Sequence, residues 1–192
     1  MDYAQFAGGK GLNQSVALAR AGVRTAHAGK IGADGAFLEE TLKLAGVDTR
    51  FLIHGTLPTG HAIIQVDREG QNCILLYPGA NRAVAREEID SVLDRLEPGT
   101  WILLQNEINE IPYLMREAKA RGFRIAINPA PCGPEVSEYP LELADVLFVN
   151  EIEAAQLSGV NGMPDEILDV LVKRFPECEI VMTLGGDGAA YA

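Results

Sequence analysis

The chain has 192 residues, 47% hydrophobic and 22% charged, a balance that fits an ordinary globular core and excludes a disordered or fibrous polypeptide. Asp and Glu total 27 against 16 Lys and Arg, a net charge of −11, so neither nucleic acid nor an anionic membrane is expected as a partner. No apolar run approaches the roughly 20 residues of a membrane span and no basic-then-apolar leader is present, which predicts a cytoplasmic location.

The first marked feature is the glycine turn Gly8-Gly9-Lys10-Gly11-Leu12-Asn13-Gln14, which runs into a segment of helical apolar period at 16–21. Further on, an apolar run at 25–31 predicts a strand and 35–44 a helix. Two strand-like runs, 62–67 and 73–77, are joined by Arg68-Glu69-Gly70-Gln71-Asn72, the pattern of a hairpin with glycine in its turn. Beyond it the order is helix 86–96, strand 101–105, helix 111–120, strand 124–128, strand 145–149, helices 151–157 and 164–175, and strand 179–184. Continuous apolar strands rich in β-branched residues, separated by helices, predict a parallel α/β sheet covered on both faces. An antiparallel hairpin does not belong inside such a sheet and is expected to project from it.

Ligands of open parallel sheets bind beyond the carboxyl ends of the strands. Glu107 follows one predicted strand, Asn128 closes the next, and Asn150 and Gly185 follow the last two. The glycine turn offers a similar opportunity, because a helix start leaves N–H groups unpaired and carries the positive dipole end. A nucleotide P-loop is excluded, since Lys10 is followed by Gly11 and no hydroxyl is available for Mg²⁺. A dinucleotide fingerprint is excluded too, since its third glycine falls on Gln14. The residues themselves leave two readings, a cradle for a polar ligand or a plain helix start. Cys73, Cys132 and Cys178 are far apart and odd in number, and His27, His54 and His61 share no ligand spacing, so reduced thiols and no zinc site are expected.

In order along the chain, the block 6–22, Gly29-Lys30-Ile31-Gly32-Ala33-Asp34, Gly46-Val47-Asp48, Thr59-Gly60, Gly79-Ala80-Asn81, Gln105-Asn106-Glu107, Asn128-Pro129-Ala130-Pro131, Asn150-Glu151-Ile152-Glu153 and Thr183-Leu184-Gly185-Gly186-Asp187-Gly188 carry a resemblance. Together they resemble the ribokinase branch of the phosphofructokinase-B-type sugar kinases. The resemblance implies a doubly wound α/β fold, mainly parallel with helices on both faces, and a small projecting β lid at about 55–80. It implies a lid that covers the sugar and joins a homodimer. The implied activity is ATP-dependent phosphorylation of a pentose at its primary hydroxyl, D-ribose to ribose 5-phosphate. The implied cofactors are ATP, Mg²⁺ and a monovalent cation such as K⁺, whose site lies outside this chain.

Position by position, the resemblance implies sugar contacts from Gly9, Lys10, Gly11, Asn13 and Glu107. It implies ATP contacts from Asn150, Thr183, Leu184, Gly185, Gly186, Asp187 and Gly188, and a Glu153 that holds Mg²⁺ through water. Mg²⁺ keeps several waters and needs only one or two carboxylates, so one glutamate suffices chemically. Asn150 and Glu153 also have the spacing of a capping box, and both roles can coexist.

Two departures stand out. Phe37 occupies a position where the family commonly has glycine. The chain also starts after the family's Asn-x-Asp sugar contact and stops before its Gly-Ala-Gly-Asp motif. The expectation is one kinase domain over 1–192, incomplete at both ends, whose catalytic aspartate lies beyond Ala192 and which is inactive alone. The alternatives are a non-catalytic sugar-binding or interaction fragment, or a kinase for another furanose or a nucleoside.

Overall fold

A computed structural model describes residues 4–67 and 69–192; Arg68, in the predicted hairpin turn, lies outside the described residues. The chain divides into two compact units, Met1–Ala85 with Glu107–Asn109, and Arg86–Asn106 with Glu110–Ala192.

The first unit opens on helix α1, Lys10–Arg20. The helix begins six residues earlier than the apolar period alone suggests, so most of the glycine turn is helix. Gly9 makes this possible: it stands at the N-cap with φ 94°, a conformation that costs glycine nothing, and its carbonyl already accepts the Asn13 N–H at 3.0 Å. Strand β1 (Ala26–Ile31), helix α2 (Ala36–Leu44) and strand β2 (Asp48–His54) follow as a parallel βαβ unit, with Ala28 opposite Phe51 and Ile31 opposite His54. Leu12 of α1 packs with Leu42 of α2 and Val47, and Val16, Ala19 and Leu38 close around them. Strand β2 was not expected. Phe51 is its one buried residue, so its sequence lacks the apolar run that marked the other strands. Phe37 does not disturb α2, whose N-cap is Gly35.

Strands β3 (His61–Val66) and β4 (Asn72–Tyr77) pair antiparallel from His61 opposite Tyr77 to Val66 opposite Asn72. Asp67 Oδ1 accepts the N–H groups of Glu69 and Gln71, both at 2.9 Å, which closes the turn. Every residue of both strands is exposed, as expected of a projecting ribbon.

The second unit is a five-stranded sheet in the order β5-β6-β7-β8-β9. Strands β5 (Trp101–Gln105), β6 (Arg124–Asn128), β7 (Val146–Asn150) and β8 (Glu179–Thr183) are parallel, and β9 (Ala189–Tyr191) is antiparallel to β8. Helix α3 (Arg86–Leu93) precedes β5, α4 (Ile111–Ala120) crosses from β5 to β6, and α5 (Glu151–Ser158) and α6 (Pro164–Arg174) cross from β7 to β8. Three successive residues of β6, Ile125, Ala126 and Ile127, are buried. Successive side chains of a strand point to opposite faces, so both faces of the sheet are covered. Met115 and Ala118 of α4 and Ile167, Leu168 and Leu171 of α6 belong to the same buried set.

The predicted strand at 145–149 is displaced by one residue, because Asp145 has a different task. Its N–H donates to Ile125 O at 2.8 Å and its Oδ2 accepts the Ile125 N–H at 2.7 Å and Lys119 Nζ at 3.2 Å. Its carbonyl accepts the Glu179 N–H at 2.9 Å, so one residue joins three neighbouring strand starts. Helix α3 ends three residues short of the predicted 96, where Arg95 and Leu96 turn back on Val92 and Leu93 with tighter bonds. Strand β9 has only three residues, too few to produce a period.

Burial alone would raise the Asp145 pKa, but the Ile125 N–H and the Lys119 ammonium outweigh it and hold the carboxyl below its ordinary value. A depressed carboxyl pKa contributes stability that is present above the unfolded value of about 3.9 and is lost as pH falls through the folded value. Asp145→Ala is therefore expected to lower stability at pH 7 by about 1–3 kcal/mol in urea unfolding. The gap from the parent should narrow below about pH 4.

Candidate functional site

In the first unit the site grows from the start of α1. The Lys10 N–H donates to Glu107 Oε2 at 3.1 Å, and Lys10 Nζ lies 3.2 Å from Glu107 Oε1. The carboxylate thus engages both the main chain and the side chain of one residue, at the positive end of the helix dipole. A Cβ at Gly9 would meet Glu107 Oε2 only at an ordinary contact distance of 3.9 Å, so glycine is favoured there by its φ of 94° and not by space. Gly11 and Asn13 occupy the same first turn, with Asn13 exposed. The sugar residues implied by the sequence, Gly9, Lys10, Gly11, Asn13 and Glu107, are therefore brought together.

Behind that turn, Ser15 Oγ and His27 Nδ1 are 2.8 Å apart. Burial lowers the His27 pKa, so the ring is neutral at pH 7 and presents no charge beneath the helix start.

The placement of Glu107 depends on a residue that sequence reasoning missed. Asn109 forms a two-way clamp on Val84, accepting its N–H at 3.0 Å and donating to its carbonyl at 2.8 Å. The Asn109 N–H also donates to Asn81 O at 3.2 Å. An asparagine four residues beyond a strand end reads in sequence as an ordinary loop residue, so no signal pointed to it.

In the second unit, Asn150 and Thr183 are register partners at the carboxyl ends of β7 and β8. Asn150 caps α5: its Oδ1 accepts the Glu153 N–H at 2.8 Å, while Glu153 Oε2 accepts the Asn150 N–H at 3.0 Å. The capping box is present. Among the described residues Glu153 Oε1 accepts no hydrogen bond, although the residue is only 7% exposed. Cys132, beyond the end of β6, has its thiol pKa raised by burial and then by the fields of Glu153 and Glu135. The loop after β8 turns tightly at Gly185–Asp187 and is closed by the Leu184 N–H on Gly188 O at 2.8 Å. A Cβ on Gly185, Gly186 or Gly188 would meet nothing within 4 Å, so this is an open loop. No cluster of three or more metal-ligating side chains exists among the described residues.

Asn106 supplies a second unforeseen clamp. It is buried at the end of β5, with Nδ2 donating to Pro131 O at 2.7 Å and Glu135 Oε1 at 2.9 Å, and Oδ1 accepting Tyr139 Oη at 2.5 Å. It ties the exit of β5 to the segment that follows β6.

Known proteins share this fold and, in part, this sequence. The profile of the pfkB family carbohydrate kinases matches residues 1–192. The chain is 35% identical to the ribokinase of Staphylococcus aureus (strain COL), covering 97% of this chain and 64% of that protein. The solved ribokinase of Thermotoga maritima superimposes with a TM-score of 0.81 at 30% identity, over 96% of this chain and 62% of that one. Arabidopsis thaliana ribokinase complexed with ribose and ATP gives 0.79 at 26% identity, again over 96% and 62%. The chain spans a little under two thirds of the length of these relatives. With the α/β order reproduced and the family profile matched from the first residue to the last, the chain belongs to the pfkB family of carbohydrate kinases.

Proposed function

We propose that this chain carries the sugar-holding and nucleotide-holding parts of an ATP-dependent kinase for the primary hydroxyl of D-ribose, yielding ribose 5-phosphate. The observation that carries the reading is the Lys10 and Glu107 pair at the start of α1. Each hydroxyl of a polyol both donates and accepts, so a site for it needs a strong acceptor and a strong donor side by side. Glu107 is the acceptor, Lys10 the donor, and Asn13 offers both functions. A hydroxyl left unpaired in a closed site costs roughly 1–3 kcal/mol, which makes a complete match the basis of specificity.

For the nucleotide, the open loop Thr183 to Gly188 gives a phosphate chain or a base unobstructed access to main-chain groups, and Asn150 stands beside Thr183. Mg²⁺, when bound, neutralises charge on the phosphate oxygens. Glu153 fits the task of holding it through water, since Oε2 is committed to the cap while Oε1 is not. The unpaired thiols Cys73, Cys132 and Cys178 suit a cytoplasmic enzyme.

The ribbon fits a homodimer contact. Cross-strand register places Ala62, Ile64, Val66, Asn72, Ile74 and Leu76 on one face, and His61, Gln65 and Tyr77 with Ile63, Leu75 and Cys73 on the other. The first face is almost wholly apolar and suits a second copy of this chain; the second carries the polar groups and suits a sugar.

Asn13→Ala and Glu107→Ala are each expected to weaken ribose binding by roughly 1–3 kcal/mol in titration calorimetry, with nucleotide binding unaffected. Undiminished ribose binding in both variants would remove the sugar assignment. Glu153→Gln keeps an oxygen for the cap, so it should raise the Mg²⁺ requirement for nucleotide binding while the melting temperature stays unchanged. On the ribbon, Ile64→Lys with Ile74→Lys should convert dimer to monomer in light scattering, because charges buried without partners are strongly unfavourable. An unchanged mass would assign that face to contacts within one subunit.

A further inference from the structure

The ribbon leaves the first unit through two short roots, Pro58-Thr59-Gly60 ahead of β3 and Pro78-Gly79 after β4. Among the described residues, no hydrogen bond ties β3 or β4 to another element beyond these roots, and every side chain of the two strands is exposed. An isolated two-stranded ribbon is marginal at best, so its direction has to be set where it is rooted.

That root is a knot of close main-chain contacts centred on Thr59, which is buried. Asp34, in the turn after β1, accepts both the Thr59 N–H at 2.9 Å and the Thr59 hydroxyl at 2.7 Å on a single oxygen, Oδ1. The Thr59 oxygen in turn accepts the Gly32 N–H at 2.9 Å. From the other root, the Ala80 N–H donates to Pro58 O at 2.9 Å. The segments approach so closely that a Cβ on Gly79, at φ 49°, would lie 2.3 Å from Pro58 O, and one on Gly60 would lie 2.6 Å from Pro78 O. A Cβ on Gly35 would strike Thr59 Oγ1 at 2.6 Å. At the first rung of the ribbon, His61 Nδ1 lies 3.0 Å from Thr59 O, and its ring packs on Tyr77 with centroids 5.1 Å apart.

We propose that Asp34 is the positioning residue of the ribbon: its two hydrogen bonds to Thr59 fix the direction in which β3 and β4 leave the βαβ unit. The consequence for a bound sugar rests on the reading of the ribbon as its cover. A carboxylate suits this work, because one oxygen can accept two donors and charge-assisted bonds are shorter and stronger than neutral ones. The Thr59 N–H and hydroxyl lower the Asp34 pKa, so the acceptor stays ionised at neutral pH. Asp34 is assigned a positioning role because both of these side-chain bonds go to Thr59.

Hydrogen exchange in the intact chain reads this directly. In Asp34→Ala and in Thr59→Val, exchange across 57–80 is expected to rise roughly tenfold while β1 and β2 keep their protection. The double variant should loosen the ribbon by less than the sum of the two single ones, because the Thr59 hydroxyl bond to Asp34 is lost in both. Thr59→Ser, which keeps the hydroxyl, should match the parent. Unchanged exchange across 57–80, or an equal rise in β1 and β2, would overturn the proposal, the second by showing general destabilisation. Ribose titration separates the two readings. Local loosening with weaker ribose binding supports both, whereas local loosening with ribose binding unchanged, or absent in the parent, supports the anchor and removes the ribbon's role as sugar cover.

Discussion

Main-chain N–H groups at the ends of helices and strands have no partner within their own element, and in this chain carboxylates repeatedly answer them. Glu107 accepts the Lys10 N–H at the start of α1, and Asp34 accepts the Thr59 N–H at the root of the ribbon. Asp145 accepts the Ile125 N–H at the start of β6, and Glu153 accepts the Asn150 N–H at the start of α5. The first three bonds join segments distant in sequence, and the fourth closes a helix start on itself. An excess of acidic residues, 27 against 16 basic, is thus partly an excess of acceptors for these junctions.

The same bonds temper the local charge of a strongly acidic protein. Glu107 is met by the Lys10 ammonium, so the start of α1 presents a balanced pair and not a bare negative charge. Glu153 is folded back onto its own cap, with the loop after β8 left to main-chain groups. Placement of a few carboxylates matters more here than net charge, since separated surface charges are screened within about 10 Å at ordinary ionic strength.

The ribbon obeys a different constraint. Its strands alternate as any strand does, yet apolar residues fall on both faces: Ile64, Ile74 and Leu76 on one, Ile63 and Leu75 on the other. Neither face is covered within the chain, since every residue of both strands is exposed. The close glycine contacts at Thr59 show how a structure without a core of its own can still be aimed.

Local chemistry was sufficient to read much of this protein from its residues. The parallel strands other than β2 appeared as apolar runs, and β6 was delimited residue for residue, because burial on both faces leaves its central residues apolar. Helix α4 was equally plain from its period, and the capping box at Asn150 and Glu153 from spacing alone. Strand β2 and strand β9 were invisible, since a strand held mainly by main-chain pairing leaves little trace in side-chain pattern. The start of α1 was misplaced because glycine in a first turn looks like loop. Tertiary structure alone decided that Lys10 meets Glu107 from 97 positions away, that Asn109 and Asn106 are clamps, and that Asp34 reaches Thr59. Such contacts depend on how distant segments are brought together, and no periodicity in the chain records the partner of a single polar side chain.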